Sequence, residues 1–428
     1  MRSFNKAVLA AFGFGAVVGI AAGCQVYDFE PVVPLTFQQY SETDTRFGRA
    51  LKPNLMLMVD KSGSMDLPAD RSDPDCGIAD GGTCGVGKTD PCNTSTCPTR
   101  WSELQGAMDI FLSTRGDVAR MGLTVYPTNA TCGAVEGVSK VMVPINQSDD
   151  DAASMIATAS QINNVIQGIS SVGVSGSDTS TGGGTPTGGS VSALAALSDL
   201  NGLDREDLIL VLTDGLPNCN PNHATPAPDP ACRCTLSGGV CSGSNATRGC
   251  LDQTATVQAI IGARDTDRAT DIRTVVVGFG ADLVGGNAPE VLNAMAVAGG
   301  FPRSCNTDGG SPACPGGETC QADGTCSVTK YFQASNRADL ASALAAIADT
   351  FGNPCEYTIE QNPENNDERL IVVYLTQGES LRRRLSVGPD TFTFTPGMVT
   401  LVGETCSIVS NATPENKVTV EIRVLQSL

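Results

Sequence analysis

The sequence predicts an α/β fold in which a doubly wound, mostly parallel sheet is covered by helices on both faces. Short runs of consecutive apolar residues, typical of strands buried on both faces, alternate with longer segments of helical periodicity. The chain has 428 residues, of which 41% are hydrophobic. It is therefore long enough to bury a substantial core and to carry a second, smaller domain.

The alternating pattern covers residues 49–352. Its first strand is five apolar residues, 55–59, which follow Pro53 and precede a Gly/Ser turn. The last helix is followed by Gly352 and Pro354, which favour a helix end. The predicted strands are 54–59, 122–126, 138–145, 207–213, 272–279 and 331–334, and the predicted helices are 101–113, 151–169, 189–200, 255–269, 289–298 and 337–351.

A small β domain is predicted over residues 353–428, where strands follow one another without helices between them. Cys355 and Cys406 are the only cysteines of this region, so if both are oxidised within it they must pair. In the chain-entropy description, closing this loop would stabilise the region by about 4 kcal/mol. The predicted strands here are 370–375, 391–395, 399–402 and 418–424.

Three cysteine-rich stretches, 66–100, 216–252 and 301–329, interrupt the α/β pattern and lack apolar periodicity of their own. We interpret them as insertions held by disulfides, because neither Cys232-Arg-Cys234 nor the segment from Cys314 to Cys326 has the histidines or C-x-x-C pairs of zinc sites. The first two follow strands and should share one edge of the sheet, while the third follows a helix and should lie at the opposite edge. The odd cysteine count of the second insertion predicts a bond from Cys219 to the isolated Cys132.

Residues 1–23 have the features of a signal peptide: a positive start, an apolar run too short to span a membrane, and small residues before Cys24. The Ala21-Ala22-Gly23-Cys24 segment resembles a bacterial lipobox, although Ala21 stands where leucine is usual. The resemblance implies that Cys24 is lipidated and becomes the mature N-terminus. An ordinary signal peptide followed by an incidental cysteine is the alternative.

Cysteine parity favours the lipidated form. Seventeen cysteines are typical of an oxidising compartment, and setting Cys24 aside leaves sixteen, an even number suited to eight disulfides. Residues 24–48 are then predicted to be a tether between the lipid and the folded domains. We expect an extracytoplasmic protein anchored by its lipid in a bacterial cell envelope, at the outer membrane or cell surface rather than at the inner membrane.

The charge of the chain excludes one class of partner. A formal net charge of -19 argues against nucleic acid, because phosphate binding requires clustered lysines and arginines. Residues 82–89 fit the pattern G-x-x-x-x-G-K-[ST], but they follow no predicted strand and open no predicted helix. We therefore expect neither a nucleic acid nor a nucleotide ligand.

Oxygen-bearing side chains follow two similar apolar strands. Asp60, Ser62 and Ser64 alternate in the turn after the first strand, and Asp214 follows the strand 207–213. Between them, a glycine-rich segment carries Thr185 just before a helix. Carboxylate and hydroxyl oxygens suit hard divalent cations, which predicts a site for Mg²⁺, with Mn²⁺ or Ca²⁺ as alternatives.

This ordered set resembles the metal-ion-dependent adhesion site of von Willebrand factor type A domains, whose pattern is D-x-S-x-S, a distant threonine and a later aspartate. The resemblance covers residues 49–352 and implies the strand order 3-2-1-4-5-6 with one antiparallel edge strand. It also implies that Ser62, Ser64 and Thr185 coordinate the cation directly, while Asp60 and Asp214 act largely through water. One coordination position would stay open for a carboxylate from a protein partner.

The function expected from this resemblance is binding of a protein partner through the cation, in adhesion or scaffolding and without catalytic turnover. Two alternatives stay open. One is a metal-dependent hydrolase of the cell envelope, against which stand the single histidine, His223, and the lack of a marked general base. The other is a structural envelope protein whose type A domain binds nothing. Whether the first two insertions cover the cation is a further open question.

Overall fold

The computed structural model describes most of residues 40–427. It describes no part of the predicted signal peptide 1–23, of Cys24 or of tether residues 25–39. Within the described ranges, no helix is both long and apolar enough to cross a membrane. Inside 40–427, the residues not described are 50–51, 79–82, 86–90, 130, 136, 148–150, 171–180, 202–204, 222–231, 237–240, 242–245, 265–270, 281–286, 304, 306–313, 315–317, 322–324, 353–354, 359–369, 379–381, 396–397 and 413–417.

Strands and helices largely alternate in the described part of residues 54–352. The strands are β1 (Tyr40–Arg49), β2 (Asn54–Asp60), β3 (Arg120–Tyr126), β4 (Val141–Val143), β5 (Asp207–Thr213), β6 (Ile272–Phe279), β7 (Phe332–Ala334), β8 (Glu356–Thr358), β9 (Ile371–Gln377), β10 (Arg383–Leu385), β11 (Phe392–Thr395), β12 (Met398–Leu401) and β13 (Val418–Ser427). The helices are α1 (Arg100–Arg115), α2 (Ala152–Gly168), α3 (Thr187–Ala195), α4 (Ala246–Gly249), α5 (Gln253–Ala263), α6 (Ala288–Ala298), α7 (Arg337–Gly352) and α8 (Gly403–Ser410).

The largest sheet has six strands in the order β4-β3-β2-β5-β6-β7. Counted from β2 as the first, this is the order 3-2-1-4-5-6. Strand β4 runs antiparallel to β3, and the other neighbouring pairs are parallel. The predicted fold class, a doubly wound and mostly parallel sheet with helices on both sides, is therefore confirmed.

Strand β2 lies at the centre of this sheet and is buried on both faces. Leu55, Leu57 and Val59 pack on one side with residues of α1, α2 and α7, whereas Met56 and Met58 pack on the other with α3, α5 and α6. All five side chains are 0% exposed. Burying a side chain of this size contributes about 1.5–3 kcal/mol, so the uninterrupted apolar run is what holds β2 in the middle of the sheet.

Capping side chains explain where two of the helices begin. The Thr99 hydroxyl accepts a hydrogen bond from the Ser102 backbone N–H (3.1 Å), and the Asp151 carboxylate accepts one from Ser154 (2.8 Å). Helix α3 starts and ends earlier than predicted, at Thr187 and Ala195, and its Gly188 packs directly on α5. A Cβ at Gly188 would lie 2.9 Å from the Thr256 Cα.

The C-terminal region forms two antiparallel sheets, β1-β13-β9-β10 and β11-β12-β8, around a third apolar cluster. Two expectations need correction here. Strand β1 pairs with β13 along its length, so residues 40–48 belong to this sheet and not to a tether. Helix α8 lies in a region expected to lack helices, between β12 and β13.

Eight disulfides join all the cysteines other than Cys24, and the bonded groups agree with the two-edge assignment. The structure forms the predicted bond between Cys132 and Cys219, and it joins Cys355 to Cys406. The clustered cysteine sulfurs of the insertions are thus oxidised pairs and not metal ligands. The remaining bonds are Cys76–Cys97, Cys84–Cys92, Cys232–Cys250, Cys234–Cys241, Cys305–Cys320 and Cys314–Cys326.

Candidate metal centre

Two aspartates lie side by side because the strands that precede them are neighbours. Strands β2 and β5 are parallel and in register, with Val59 opposite Leu212. Asp60 ends β2 and Asp214 follows the last residue of β5, so both carboxylates lie at the same edge of the sheet. Strand β3 lies on the other side of β2, which makes this edge the switch point where open α/β sheets bind ligands.

The turn after β2 directs its side-chain oxygens to this point. The Asp60 carboxylate accepts a hydrogen bond from the Ser62 backbone N–H (2.8 Å) and another from the Thr213 hydroxyl (2.7 Å). Residues Gly63–Asp66 then form one turn of 3₁₀-helix. That turn brings the Ser62 and Ser64 hydroxyl oxygens within 3.0 Å of each other.

Asp214 is held by a serine on one oxygen and by an arginine on the other. The Ser64 hydroxyl donates to Oδ1 (2.8 Å), and the Arg100 guanidinium donates to Oδ2 (2.8 Å). The Arg100 and Asp214 side chains are 4% and 0% exposed, so their ion pair is buried. Ser62, Ser64 and Asp214 therefore form a continuous chain of oxygen atoms across the ends of the two strands.

Backbone hydrogen bonds bring the Thr185 loop against the first turn. The Gly182 N–H donates to the Lys61 carbonyl (2.7 Å), and the Gly63 N–H donates to the Gly183 carbonyl (3.1 Å). Gly183 has φ +90°, and a Cβ there would lie 2.9 Å from two carbonyl oxygens, so the close approach requires glycine. Thr185 is 3% exposed and lies two residues beyond this contact.

Negative charge is concentrated at the site. Burial, and after it the charge of Asp214, raise the pKa of Asp60 to about 7, although hydrogen bonds from Thr213 and Ser62 lower it. Burial also raises the pKa of Asp66 to about 6, against the hydrogen bond that Thr181 donates to it (2.5 Å). A bound cation would lower the pKa values of Asp60 and Asp66, because a nearby opposite charge favours ionised carboxylates.

The donor set fits a hard divalent cation. It offers carboxylate and hydroxyl oxygens, has no nitrogen or sulfur ligand among the described residues, and lies where the sheet opens. In the described part of the chain, Gly63 is exposed and Ser64 is half-buried, whereas the other four candidate ligands are buried. The structure thus brings together the ends and turns that carry Asp60, Ser62, Ser64, Thr185 and Asp214.

Three further residues of the site were missed by the sequence analysis. Arg100 is the first residue of α1, where a positive charge is unfavourable for the helix dipole, and that misfit is the signal that could have indicated a nearby carboxylate. Asp66 continues the alternation of Asp60, Ser62 and Ser64 and could have been found from it. Asn218, whose side-chain Oδ1 accepts a hydrogen bond from the Thr185 N–H (2.6 Å), is placed by tertiary contacts, and no sequence signal indicates it.

Some sequence predictions lie outside the described residues. These include the lipidation site Cys24 and the single histidine, His223. Most of the segment 82–89, which matches the phosphate-loop pattern, is also outside them, and its described residues Thr83–Gly85 form a bridge and turn.

No protein-family model matches the chain, and no curated protein matches it. Among solved structures, the pilus adhesin SpaC from Lactobacillus rhamnosus GG is 13% identical with a TM-score of 0.37, over 90% of this chain and 42% of that one. The PilB minor pilin from Streptococcus sanguinis is 16% identical with a TM-score of 0.36, over 70% of this chain and 61% of the pilin. The chain thus spans about half the length of these two proteins.

A third similar structure is the manganese-loaded TRAP protein of Plasmodium vivax, 12% identical with a TM-score of 0.28, over 60% of this chain and 67% of that one. At TM-scores of this size the likenesses carry no argument about function. The functional conclusion has to come from the geometry at the ends of β2 and β5.

Proposed function

We propose that this protein is a lipid-anchored envelope or surface protein that binds a protein partner through a divalent cation, in adhesion or scaffolding. The domain that binds would be the α/β region of residues 49–352, with the type A arrangement of a metal-ion-dependent adhesion site. The cation would be Mg²⁺, with Mn²⁺ or Ca²⁺ as alternatives. The residues that hold it would be Asp60, Ser62, Ser64, Thr185 and Asp214.

One observation carries the proposal: the unbroken contact from the Ser62 hydroxyl to the Ser64 hydroxyl (3.0 Å) and on to the Asp214 carboxylate (2.8 Å). These oxygens belong to two different loops, 150 residues apart between Ser64 and Asp214, yet they meet at the switch point of the sheet. The Ser64 hydroxyl, which is half-buried and could hydrogen-bond to water, instead donates to a buried carboxylate, and the Ser62 hydroxyl contacts Ser64. Such a convergence is what an oxygen-ligated cation requires.

A cation held mainly by neutral hydroxyls stays electrophilic, because few ligand charges neutralise it. It can then accept a carboxylate from a partner at a position that faces solvent. The exposure of Gly63 and the half-burial of Ser64 supply that approach. This chemistry supports partner binding by a glutamate or aspartate side chain of another protein.

A metal-dependent hydrolase is the competing proposal. It would need a group that accepts a proton from water close to the cation. The carboxylates of the site already accept hydrogen bonds: Asp60 from Thr213 and Ser62, Asp214 from Ser64 and Arg100, and Asp66 from Thr181. These contacts favour a positioning role for each carboxylate.

The proposed location rests on covalent chemistry. Eight disulfides require an oxidising compartment, which supports an extracytoplasmic protein. The lipid on Cys24 is proposed from the lipobox resemblance. Mass spectrometry of the N-terminal peptide purified from membranes tests it, and an unmodified N-terminus other than Cys24 would contradict it.

The experiment for the binding function uses the full chain and two readouts. Titration calorimetry with Mn²⁺ and Mg²⁺ measures cation binding, and capture of partners from envelope extract is compared in Mg²⁺ and in EDTA. We expect Thr185→Ala to weaken cation binding by about tenfold or more and to abolish Mg²⁺-dependent capture. Thr393→Ala, an exposed threonine on β11 in a different sheet, is the matched control and should change neither.

Capture that resists EDTA and Thr185→Ala would contradict the proposal. Metal-dependent hydrolysis of generic ester or phosphate substrates, lost in Thr185→Ala but not in Thr393→Ala, would favour the hydrolase. Absence of both cation binding and capture would leave the structural envelope role.

A further inference from the structure

Two segments from different parts of the chain contact opposite sides of the loop that carries Thr185. On one side, the Gly184 N–H donates a hydrogen bond to the Thr131 carbonyl (2.6 Å). On the other side, Gly184 packs against Cys219, whose Sγ would lie 2.6 Å from a Cβ added to the glycine. The loop is thus enclosed between the chain after β3 and the start of the second cysteine-rich insertion.

Asn218 makes the closest contacts with Thr185 itself. Its side-chain Oδ1 accepts a hydrogen bond from the Thr185 backbone N–H (2.6 Å). The backbone N–H of Asn218 donates to the Thr185 carbonyl (3.0 Å). Asn218 is 8% exposed, so water competes little for these bonds. The pair of bonds fixes the backbone of Thr185 on both sides of its Cα.

The second insertion orients Asn218 in turn. Its side-chain Nδ2 donates to the Thr235 hydroxyl (3.0 Å), which donates to the Gly249 carbonyl (2.8 Å). The Thr235 hydroxyl donates its only proton to the Gly249 carbonyl, so it can only accept from Asn218. The amide atom that faces Thr235 is therefore the nitrogen, Nδ2. The Asn218 oxygen is therefore directed to Thr185.

The disulfide between Cys132 and Cys219 joins the two sides of this enclosure covalently. Cys132 follows Thr131, the acceptor for Gly184, and Cys219 follows Asn218. Cys219 has φ 70°, a conformation that non-glycine residues rarely adopt and that the surrounding contacts have to maintain. The Cys219 backbone N–H donates to the Arg248 carbonyl (3.3 Å), a further contact with the insertion.

We propose that Asn218 is a positioning residue for Thr185, and that the Cys132–Cys219 disulfide keeps it in place. The second cysteine-rich insertion thereby builds part of the cation site instead of only surrounding it. This inference rests on the proposed function, in which Thr185 coordinates a divalent cation. It assigns to Asn218 an effect on cation binding that is exerted entirely through Thr185.

A double-mutant cycle with Mn²⁺ tests the inference. Calorimetry on the full chain should show Asn218→Ala about tenfold weaker in Mn²⁺ binding, as is typical for residues that orient ligands. Thr185→Ala should weaken Mn²⁺ binding at least as much as Asn218→Ala does. Because Asn218 acts only through Thr185, the double variant should bind Mn²⁺ no more weakly than Thr185→Ala alone, within about twofold.

A spectroscopic readout distinguishes positioning from a general loss of structure. If Thr185 is displaced, water takes its place on Mn²⁺, so the relaxation rate of solvent protons per bound Mn²⁺ should rise in Asn218→Ala and in Thr185→Ala by similar amounts. The circular dichroism of both variants should stay that of the unmodified chain. Removing a remote contact would not change the hydration of the ion.

The disulfide is tested with a matched pair of double variants. Cys132→Ser/Cys219→Ser should weaken Mn²⁺ binding by about tenfold, as Asn218→Ala does. Cys305→Ser/Cys320→Ser, which removes a bond of the third insertion, should leave Mn²⁺ binding unchanged. If the first double variant does not fold, the cycle with Asn218 and Thr185 still decides the question.

The possible failures are distinguishable. No Mn²⁺ binding by the unmodified chain would overturn both this inference and the proposed function. Normal Mn²⁺ binding by Asn218→Ala, or additive losses in the double variant, would overturn only the inference and leave the cation site in place.

Discussion

The six-stranded sheet and the cysteine-rich insertions meet at the candidate metal centre, but different forces hold them. Strands β2 and β5 are surrounded by apolar side chains on both faces, and their burial positions Asp60 and Asp214. The insertions contribute few apolar residues to these clusters and are joined by disulfides. One site therefore combines two kinds of support: the aspartates depend on the apolar core, and Thr185 depends on its contacts with Asn218 and on the Cys132–Cys219 disulfide.

The largest effect on stability should come from weakening the core under the aspartates. Leu57→Ala removes a side chain that is 0% exposed in the middle of β2, and we expect a loss of about 4 kcal/mol in the free energy of unfolding. Urea denaturation followed by circular dichroism measures it. Ile261→Ala, at a position 47% exposed on α5, is the control and should cost less than about 0.5 kcal/mol. Equal losses in the two variants would contradict the role assigned to the core.

A somewhat smaller effect is expected from the ion pair that links the two regions. Arg100→Met leaves the buried Asp214 carboxylate without its guanidinium, which should cost about 3 kcal/mol in the metal-free protein. Arg115→Met breaks a pair whose side chains are 41% and 62% exposed and should cost less than about 1 kcal/mol. Urea denaturation of each variant, without and with Mg²⁺, measures the two stability losses.

Magnesium should stabilise Arg100→Met more than it stabilises the unmodified chain. A cation beside Asp214 replaces part of the lost positive charge, so Mg²⁺ should raise the urea midpoint more in Arg100→Met than in the unmodified chain. It should act equally on Arg115→Met and the unmodified chain. An equal gain in all three proteins would mean that the cation does not bind beside Asp214.

The smallest effect on global stability should come from an insertion. Cys234→Ser/Cys241→Ser opens a bond between residues only seven apart, outside the apolar clusters of the sheet. We expect the free energy of unfolding to fall by about 2 kcal/mol or less, because closing so short a loop removes the least entropy from the unfolded chain, while amide hydrogen exchange accelerates around Thr235 and Gly249. A global loss comparable to that of Leu57→Ala would show that the insertions and the core unfold as one unit.

Much of the central sheet could be predicted because its strands are buried on both faces. Residues 207–213 and 272–279 have the predicted boundaries, and β2 differs by one residue. The edge strand β4 is shorter than predicted, since residues 138–140 form a 3₁₀ turn and only Val141–Val143 pair with β3. An edge strand has one neighbour, so its apolar pattern determines its length less strictly.

The C-terminal region could be predicted less completely. Residues 40–49 contain charged and polar residues throughout and show no clear strand periodicity, so pairing with β13 is what makes them a strand. Helix α8 is eight residues long, and a short apolar pattern such as Thr405–Val409 does not distinguish helix from strand. In both cases tertiary contacts decided the secondary structure.

The apolar pattern alone predicts the strands that lead into Asp60 and Asp214, because a run of five or six apolar residues is typical of a strand buried on both faces. The sequence also determined the order of the oxygen-bearing residues along the chain. Only the tertiary structure decided how they are held: Arg100 on Asp214, Thr181 on Asp66, and Asn218 on Thr185. These contacts join residues from 33 to 115 positions apart, and local propensity cannot encode which distant groups meet when a sheet closes.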